Sequence, residues 1–136
     1  MKIAVAGTGY VGLVTGVCLA SKGHRVTCVD IDEEKIMIMK KGKSPIYEPG
    51  LEELMQKNLD KLHFTTDYQS AYKKADVIFI GVGTPEKQDG SANLKYVYSV
   101  AKQIANSVET NCVVVVKSTV PIGTNEKIET FIKANL

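Results

Sequence analysis

Residues Lys2–Leu13 read KIAVAGTGYVGL. A compact apolar run, KIAVA, meets three glycines, Gly7, Gly9 and Gly12, spaced G-x-G-x-x-G. Beyond them LVTGVCLASKG carries apolar and small residues at helical spacing and closes on Gly23. Strand, glycine turn and helix in that order open a dinucleotide-binding unit, whose fourth mark is an acid about 20 residues on. Asp30 supplies it, at the end of a second strand, RVTCVD. Each glycine has its own reason: Gly7 permits the sharp turn, Gly9 lets backbone N–H groups reach a pyrophosphate, and Gly12 lets the helix pack close to the sheet. The helix N-terminus adds free N–H donors and a partial positive charge.

Working outward, strands and helices alternate to the end of the chain. Asp32 is placed to cap the helix EEKIMIMKKG, which ends at Gly42, and the two prolines of KSPIYEPG mark a loop. LEELMQKNL reads as a helix with Leu51, Leu54 and Met55 on one face, LHFTT as a strand, and Asp67 as the cap of YQSAYKKA. DVIFIGVG is a strand, NLKYVYSVAKQIANSV a helix, CVVVVKST a strand, and TNEKIETFIKANL a helix opening after Pro121 and Gly123. VIFI and VVVV are apolar at consecutive positions, so both their faces should be covered, as in a parallel sheet. Right-handed crossovers then predict an α/β, doubly wound, Rossmann-type parallel sheet of about five strands in the order 3-2-1-4-5. Residues 1–136 form one domain in this reading. The sixth strand of a full dinucleotide domain is missing, and the chain reads as the front end of something longer.

Composition narrows the function classes. The 136 residues are 44% hydrophobic and 24% charged with a net charge of +2, which suits a soluble domain and is too small a charge to suggest nucleic acid. No apolar stretch approaches a membrane span, and the N-terminus enters a strand directly, so neither membrane association nor a signal peptide is expected and a cytoplasmic location is. Cys18, Cys28 and Cys112 lack any C-x-x-C spacing and are expected to be buried structural thiols; no metal signature is present. His24 and His63 lie away from the carboxyl ends of the strands and read as structural or solvated. The helical tyrosines Tyr68, Tyr72, Tyr96 and Tyr98 read as packing residues.

The acid at Asp30 also bears on the cofactor. Its carboxylate repels a 2′-phosphate, Asp32 adds negative charge, and no arginine follows the strand, so NAD is expected over NADP. Two further segments fall at strand carboxyl ends, GVGTP (Gly81 to Pro85) and KSTVPIGT (Lys117 to Thr124). The hydroxyls of Thr84, Ser118 and Thr119 are suited either to bonding the cofactor or a reacting water, or to capping the following helices. Spacing leaves both open.

Taken together, GTGYVGL, VDIDEEKI, SPIYEPGLEEL, GVGTP and KSTVPIGT resemble, in that order and across essentially the whole chain, the nucleotide-sugar dehydrogenases of the UDP-glucose 6-dehydrogenase family. STVPIGT leans toward the UDP-glucose members over the GDP-mannose ones. The resemblance implies oxidation of the C6 hydroxyl of UDP-glucose to the carboxylate of UDP-glucuronate, with two NAD reduced. It implies that Gly7, Gly9, Tyr10, Val11 and Gly12 bind pyrophosphate, and that Asp30 and Lys35 hold the adenosine ribose. Val82, Gly83, Thr84 and Pro85 would line the cofactor groove, with Ser118, Thr119 and Val120 near the nicotinamide. Thr119 is further implied as a catalytic residue that positions a water. Tyr47 to Leu51 (YEPGL) would shape a loop near the cleft, unless Pro49 and Gly50 simply set a turn.

The family's catalytic cysteine, lysine, asparagine and aspartate lie in a central helix and second domain, and a glutamate in the segment after the sixth strand. This chain has none of those segments, and none of its cysteines sits in the nucleophile motif. The resemblance therefore implies an active homodimer for the full-length enzyme, and an inactive monomer or weak dimer for this chain. A stand-alone NAD-binding regulatory module, and the same domain of a GDP-mannose or UDP-aminosugar dehydrogenase, are the alternatives.

Overall fold

The computed structural model describes all of residues 1–136. Five strands, β1 (Lys2–Ala6), β2 (Arg25–Val29), β3 (Leu62–Thr65), β4 (Val77–Ile80) and β5 (Val113–Val116), form one sheet in the order β3-β2-β1-β4-β5. Every pairing is parallel, with Ile3 opposite Val26 on one side and Val77 on the other. The order agrees with the sequence expectation and puts the switch point between β1 and β4.

Six helices cover the two faces: α1 (Tyr10–Ser21), α2 (Glu33–Lys40), α3 (Leu51–Lys57), α4 (Tyr68–Lys73), α5 (Lys95–Ser107) and α6 (Thr124–Asn135). The period of two along a strand divides the core. From β1, Ile3 and Val5 join Leu13 and Val17 of α1, Met39 of α2 and Met55 of α3. Ala4 and Ala6 face the other way, into a core with Tyr72 of α4, Val97 and Ile104 of α5, and Ile128 of α6. Alanines there leave room for the larger side chains of β4 and α5.

The capping expectations hold. The Asp32 carboxylate accepts the N–H groups of Glu34 and Lys35, and the Asp67 carboxylate accepts that of Ser70, each satisfying first-turn donors that the helix itself leaves free. Gly50 stands before α3 with φ of +81°, so the end of YEPGL is a left-handed turn that delivers Leu51 into the core.

Two expectations fail. Val113 of β5 is 60% exposed and Val114 to Val116 are only half-buried, so VVVV is not covered on both faces. Strand β5 is the sheet edge, with β4 on one side, and on the other a groove of about 840 Å³ lined by Val114, Val116, Ile128 and Ile132. The expected order already put this strand at the edge; what failed is the reading of consecutive apolar residues as burial on both faces. Cys18 is also exposed, on the outer side of α1, rather than buried, and Cys112 is half-buried. Cys28 does lie in the core, where burial pushes its thiol up to about 12 and keeps it neutral.

Candidate functional site

Strand β1 ends against two neighbours that hold its exit rigid. The Gly7 N–H donates to Val29 O at 2.8 Å, and the Gly81 N–H donates to Ala6 O at 2.8 Å. Gly7 then turns the chain with φ of +96°, a region that side chains oppose. Helix α1 is pressed against this turn so closely that a Cβ on Gly12 would stand 1.9 Å from Gly7 O. Two of the three fingerprint glycines are therefore required by the protein's own backbone.

Gly9 is different. Its φ of −73° suits any residue, and a Cβ built on it would meet no atom within 4 Å. Neither conformation nor packing asks for glycine there. Besides the modest preference for glycine over alanine before a helix, what remains is the space itself, directly before α1. The first bond of that helix runs from Leu13 N–H to Gly9 O, so the N–H groups of Gly9, Tyr10, Val11 and Gly12 have no backbone acceptor. No acidic side chain occupies the first turn and no side chain caps it. Four free donors at the positive end of a helix, beside a position kept clear of side chains, fit a pyrophosphate.

At Gly9 this loop opens into a crevice of about 290 Å³ across the β1/β4 switch point. Gly7, Thr8, Gly9, Asp30, Lys35, Val82 and Gly83 line it, so the structure brings together the glycine loop, the acid and part of the GVGTP segment. A larger groove, of about 540 Å³, lies at the amino ends of the strands among Lys2, Arg25, Lys61 and Lys73, away from the glycine loop.

Asp30 is half-buried at the end of β2. Burial by itself raises its carboxyl, but the hydroxyl of Thr8, the N–H groups of Asp32 and Thr8, and the ammonium of Lys35 together hold it below the usual carboxylate range. A carboxyl depressed by folding contributes stability in full above its unfolded value near 3.9, and loses it as pH falls through the lower folded value. Asp30 is thus anionic throughout the neutral range.

The loops after β4 and β5 are tied to each other. Thr84 Oγ1 donates to Thr119 O at 3.0 Å, and Ser118 Oγ donates to Val82 O at 2.7 Å. Ser118 is buried and its single proton is committed to that carbonyl, so its hydroxyl neither caps a helix nor points free into the cleft. Thr119 is exposed, with Val120 beside it half-buried; Thr124 rather than Thr119 turns its hydroxyl onto a neighbouring backbone carbonyl, that of Pro121, at the start of α6. Pro85 is exposed and holds Asn93 N–H through its carbonyl at 2.7 Å. Thr84, Pro85, Ser118, Thr119, Val120, Tyr10, Val11 and Gly12 do not line the crevice around Asp30; Tyr10 and Val11 stand exposed on the first turn of α1, and Gly12 is buried against the β1 turn. Ser118→Ala should leave Val82 O short of a donor and cost about 1–2 kcal/mol, a fall of about 3–6 °C in Tm by calorimetry. An unchanged Tm would mean the two loops are not joined there.

Sequence reading missed one wall of the crevice. Tyr96, Ser99 and Gln103 of α5 line it, at the i, i+3, i+7 spacing of one helical stripe, and Tyr96 is 44% exposed rather than packed away. The signal was that spacing of polar groups along NLKYVYSVAKQIANSV. Ile31, 86% exposed beside Asp30, is a second lining residue that sequence alone did not single out. His24 and His63 fall outside the crevice, as expected, and the structure holds no cluster of residues suited to a metal.

Comparison with known proteins agrees with this geometry. The family described as "UDP-glucose/GDP-mannose dehydrogenase family, NAD binding domain" matches residues 1–136. UDP-glucose 6-dehydrogenase YwqF of Bacillus subtilis is 57% identical over 138 residues, covering 100% of this chain and 31% of that protein. UDP-glucose 6-dehydrogenase of Rhizobium meliloti is 52% identical, covering 98% of this chain and 31% of its own length. Among solved structures, a ternary complex of GDP-mannose dehydrogenase from Pseudomonas aeruginosa superposes with a TM-score of 0.94 at 41% identity, over 99% of this chain and 32% of that one. A UDP-glucose dehydrogenase from Pyrobaculum islandicum gives 0.91 at 37% identity, over 98% of this chain and 32% of its own. The chain thus spans about a third of the length of these relatives. With the glycine cradle, the acid at Asp30 and a match that runs from end to end, the chain belongs to the UDP-glucose/GDP-mannose dehydrogenase family, as its NAD-binding domain.

Proposed function

We propose that this chain is the NAD-binding domain of a UDP-glucose 6-dehydrogenase, the enzyme that oxidises UDP-glucose to UDP-glucuronate with two NAD. The observation that carries the cofactor reading is the Gly9 position, where a side chain would meet no protein atom and the free amides of α1 begin, as a bound diphosphate requires. The sugar reading rests on the relatives at 57% and 52% identity, both UDP-glucose 6-dehydrogenases.

In this reading the pyrophosphate lies on the N–H groups of Gly9, Tyr10, Val11 and Gly12, with Gly7 shaping the turn. Asp30 and Lys35 take the adenosine ribose, and Val82, Gly83, Thr84 and Pro85 form the wall along which the cofactor extends. Bound NAD supplies a hydride acceptor for the carbon being oxidised. Ser118 acts by bracing the β4 and β5 loops, and Val120 stands beside the nicotinamide. Thr119, exposed and with its hydroxyl uncommitted, orients a water. No helix is long and apolar enough to cross a membrane, and we place the protein in the cytoplasm, without nucleic-acid or membrane partners.

Calorimetry should show NAD binding to this chain with NADP at least about tenfold weaker, since Asp30 opposes the 2′-phosphate. The same sample should run as a monomer or weak dimer on size exclusion. It should not turn over UDP-glucose, and turnover should appear in the complete enzyme. GDP-mannose or a UDP-aminosugar as the better substrate of that enzyme would reassign the sugar; absence of NAD binding by folded protein would remove the cofactor reading.

A further inference from the structure

Thr8 occupies the first variable position of the glycine fingerprint, a place the fingerprint itself leaves open to any residue. It is nevertheless 0% exposed, the most completely buried polar residue of the chain. Both its donors converge on one atom. The Thr8 N–H reaches Asp30 Oδ2 at 3.0 Å and the Thr8 hydroxyl reaches the same oxygen at 2.5 Å. The other oxygen, Oδ1, receives one bond, from Asp32 N–H at 3.0 Å.

A carboxylate offers about four lone-pair sites, two on each oxygen. Thr8 fills both on Oδ2 and Asp32 fills one on Oδ1, which leaves a single acceptor site, on Oδ1. We propose that Thr8 is a positioning residue for cofactor recognition: it clamps Oδ2 of Asp30, fixes the plane of the carboxylate before the cofactor arrives, and leaves Oδ1 as the oxygen that grips the ribose. This rests on the NAD-binding reading above and adds to it the residue that sets the acid. A short branched hydroxyl suits the task, because its methyl group fills the buried space while its oxygen donates.

The groups around Asp30 act in the same direction or are remote from the clamp. Lys35 of α2 favours the carboxylate through its charge, and Asp32 directs its own carboxylate to the N–H groups of Glu34 and Lys35. Glu33 and Glu34 are exposed on α2. From α4 and α5, Tyr72 and Tyr96 share the crevice. Neither phenol is bonded to Asp30, and burial raises that of Tyr72 further from neutrality. Loss of the Thr8 hydroxyl therefore leaves burial less opposed, and the carboxyl should rise.

The test compares Thr8→Val, Thr8→Ala and Thr8→Ser in the full chain. Carbon-13 NMR of the Asp30 carboxyl, without any ligand, should show the titration midpoint raised by about one pH unit in T8V and T8A and nearly unmoved in T8S. NAD affinity measured from pH 4.5 to 8 should fall about fivefold in T8V near neutrality and more steeply toward acid, with T8S within about twofold of the parent. Should T8V fold poorly, T8A carries the same comparison with no steric demand. A midpoint unmoved in both hydroxyl-free variants overturns the clamp even if NAD binds normally. Equal shifts in T8S and T8V overturn it too, since that is what a packing role would give. A moved midpoint in a chain that binds no NAD would instead sink the cofactor reading and the ribose role with it.

Discussion

Replacing Gly12 with alanine should cost this chain more than about 3 kcal/mol, a large part of the roughly 5–15 kcal/mol that holds a domain folded. The added Cβ would stand 1.9 Å from Gly7 O and 2.9 Å from Gly7 C, both backbone atoms. A flexible side chain could yield; this carbonyl cannot. Gly7 is held by its N–H bond to Val29 O, and its φ of +96° leaves the turn little freedom. Beyond it Gly81 closes the way, since a Cβ on Gly81 would meet Gly12 Cα at 3.0 Å. The helix would have to retreat from the sheet, pulling Leu13, Val17 and Ala20 out of the packing they make with Val5 and Cys28. Urea denaturation followed by circular dichroism should show the midpoint falling steeply, or no cooperative transition. A midpoint like that of the parent would mean α1 is not seated on the β1 turn as described.

What the sequence revealed, and what it hid, divides along the distance over which each residue acts. The strands and helices were legible because glycines punctuate the strand ends and the apolar runs alternate with helical patterns, both local signals, and the right-handed crossover rule then set the order. The caps at Asp32 and Asp67 were legible for the same reason, since each carboxylate bonds within its own first turn. The Thr84 and Ser118 hydroxyls were not. Their acceptors, Thr119 O and Val82 O, lie 35 and 36 residues away in the chain, and only the parallel pairing of β4 with β5 brings them close. Thr8 and Asp30, 22 residues apart, are joined across β1 and β2 in the same way. Cys18 and Val113 show the complementary failure: apolar character was read as burial, whereas a position on the outer side of α1 or at the sheet edge leaves such residues in water. The α5 wall of the crevice was hidden because its stripe is polar and sits next to the apolar stripe of Val97, Ala101 and Ile104, which dominates the pattern.

Gly9→Ala separates the cradle from the fold, and its expected effect is the reverse of that at Gly12. Stability should change by less than about 1 kcal/mol. At φ −73° alanine meets no strain, and it lowers the entropy of the unfolded chain, a gain of about 0.4–1 kcal/mol. Against this, alanine is a poorer residue than glycine before a helix, by a similar amount. Nothing within 4 Å is displaced. Binding is another matter, because the methyl group would enter the space in front of the free N–H groups of α1. Keeping an anion from two of those donors forfeits about 1.5–3 kcal/mol for each, and 1.4 kcal/mol is a factor of ten, so NAD affinity should fall about a hundredfold or more. Calorimetric titration beside a urea melt of the same sample reads both quantities. A variant that melts like the parent yet has lost NAD would locate the diphosphate over Gly9, whereas one that binds NAD unimpaired would leave the vacancy at that glycine without a purpose. The pair of alanines therefore tests two halves of one loop: at Gly12 the backbone needs the room, and at Gly9 the proposed diphosphate would.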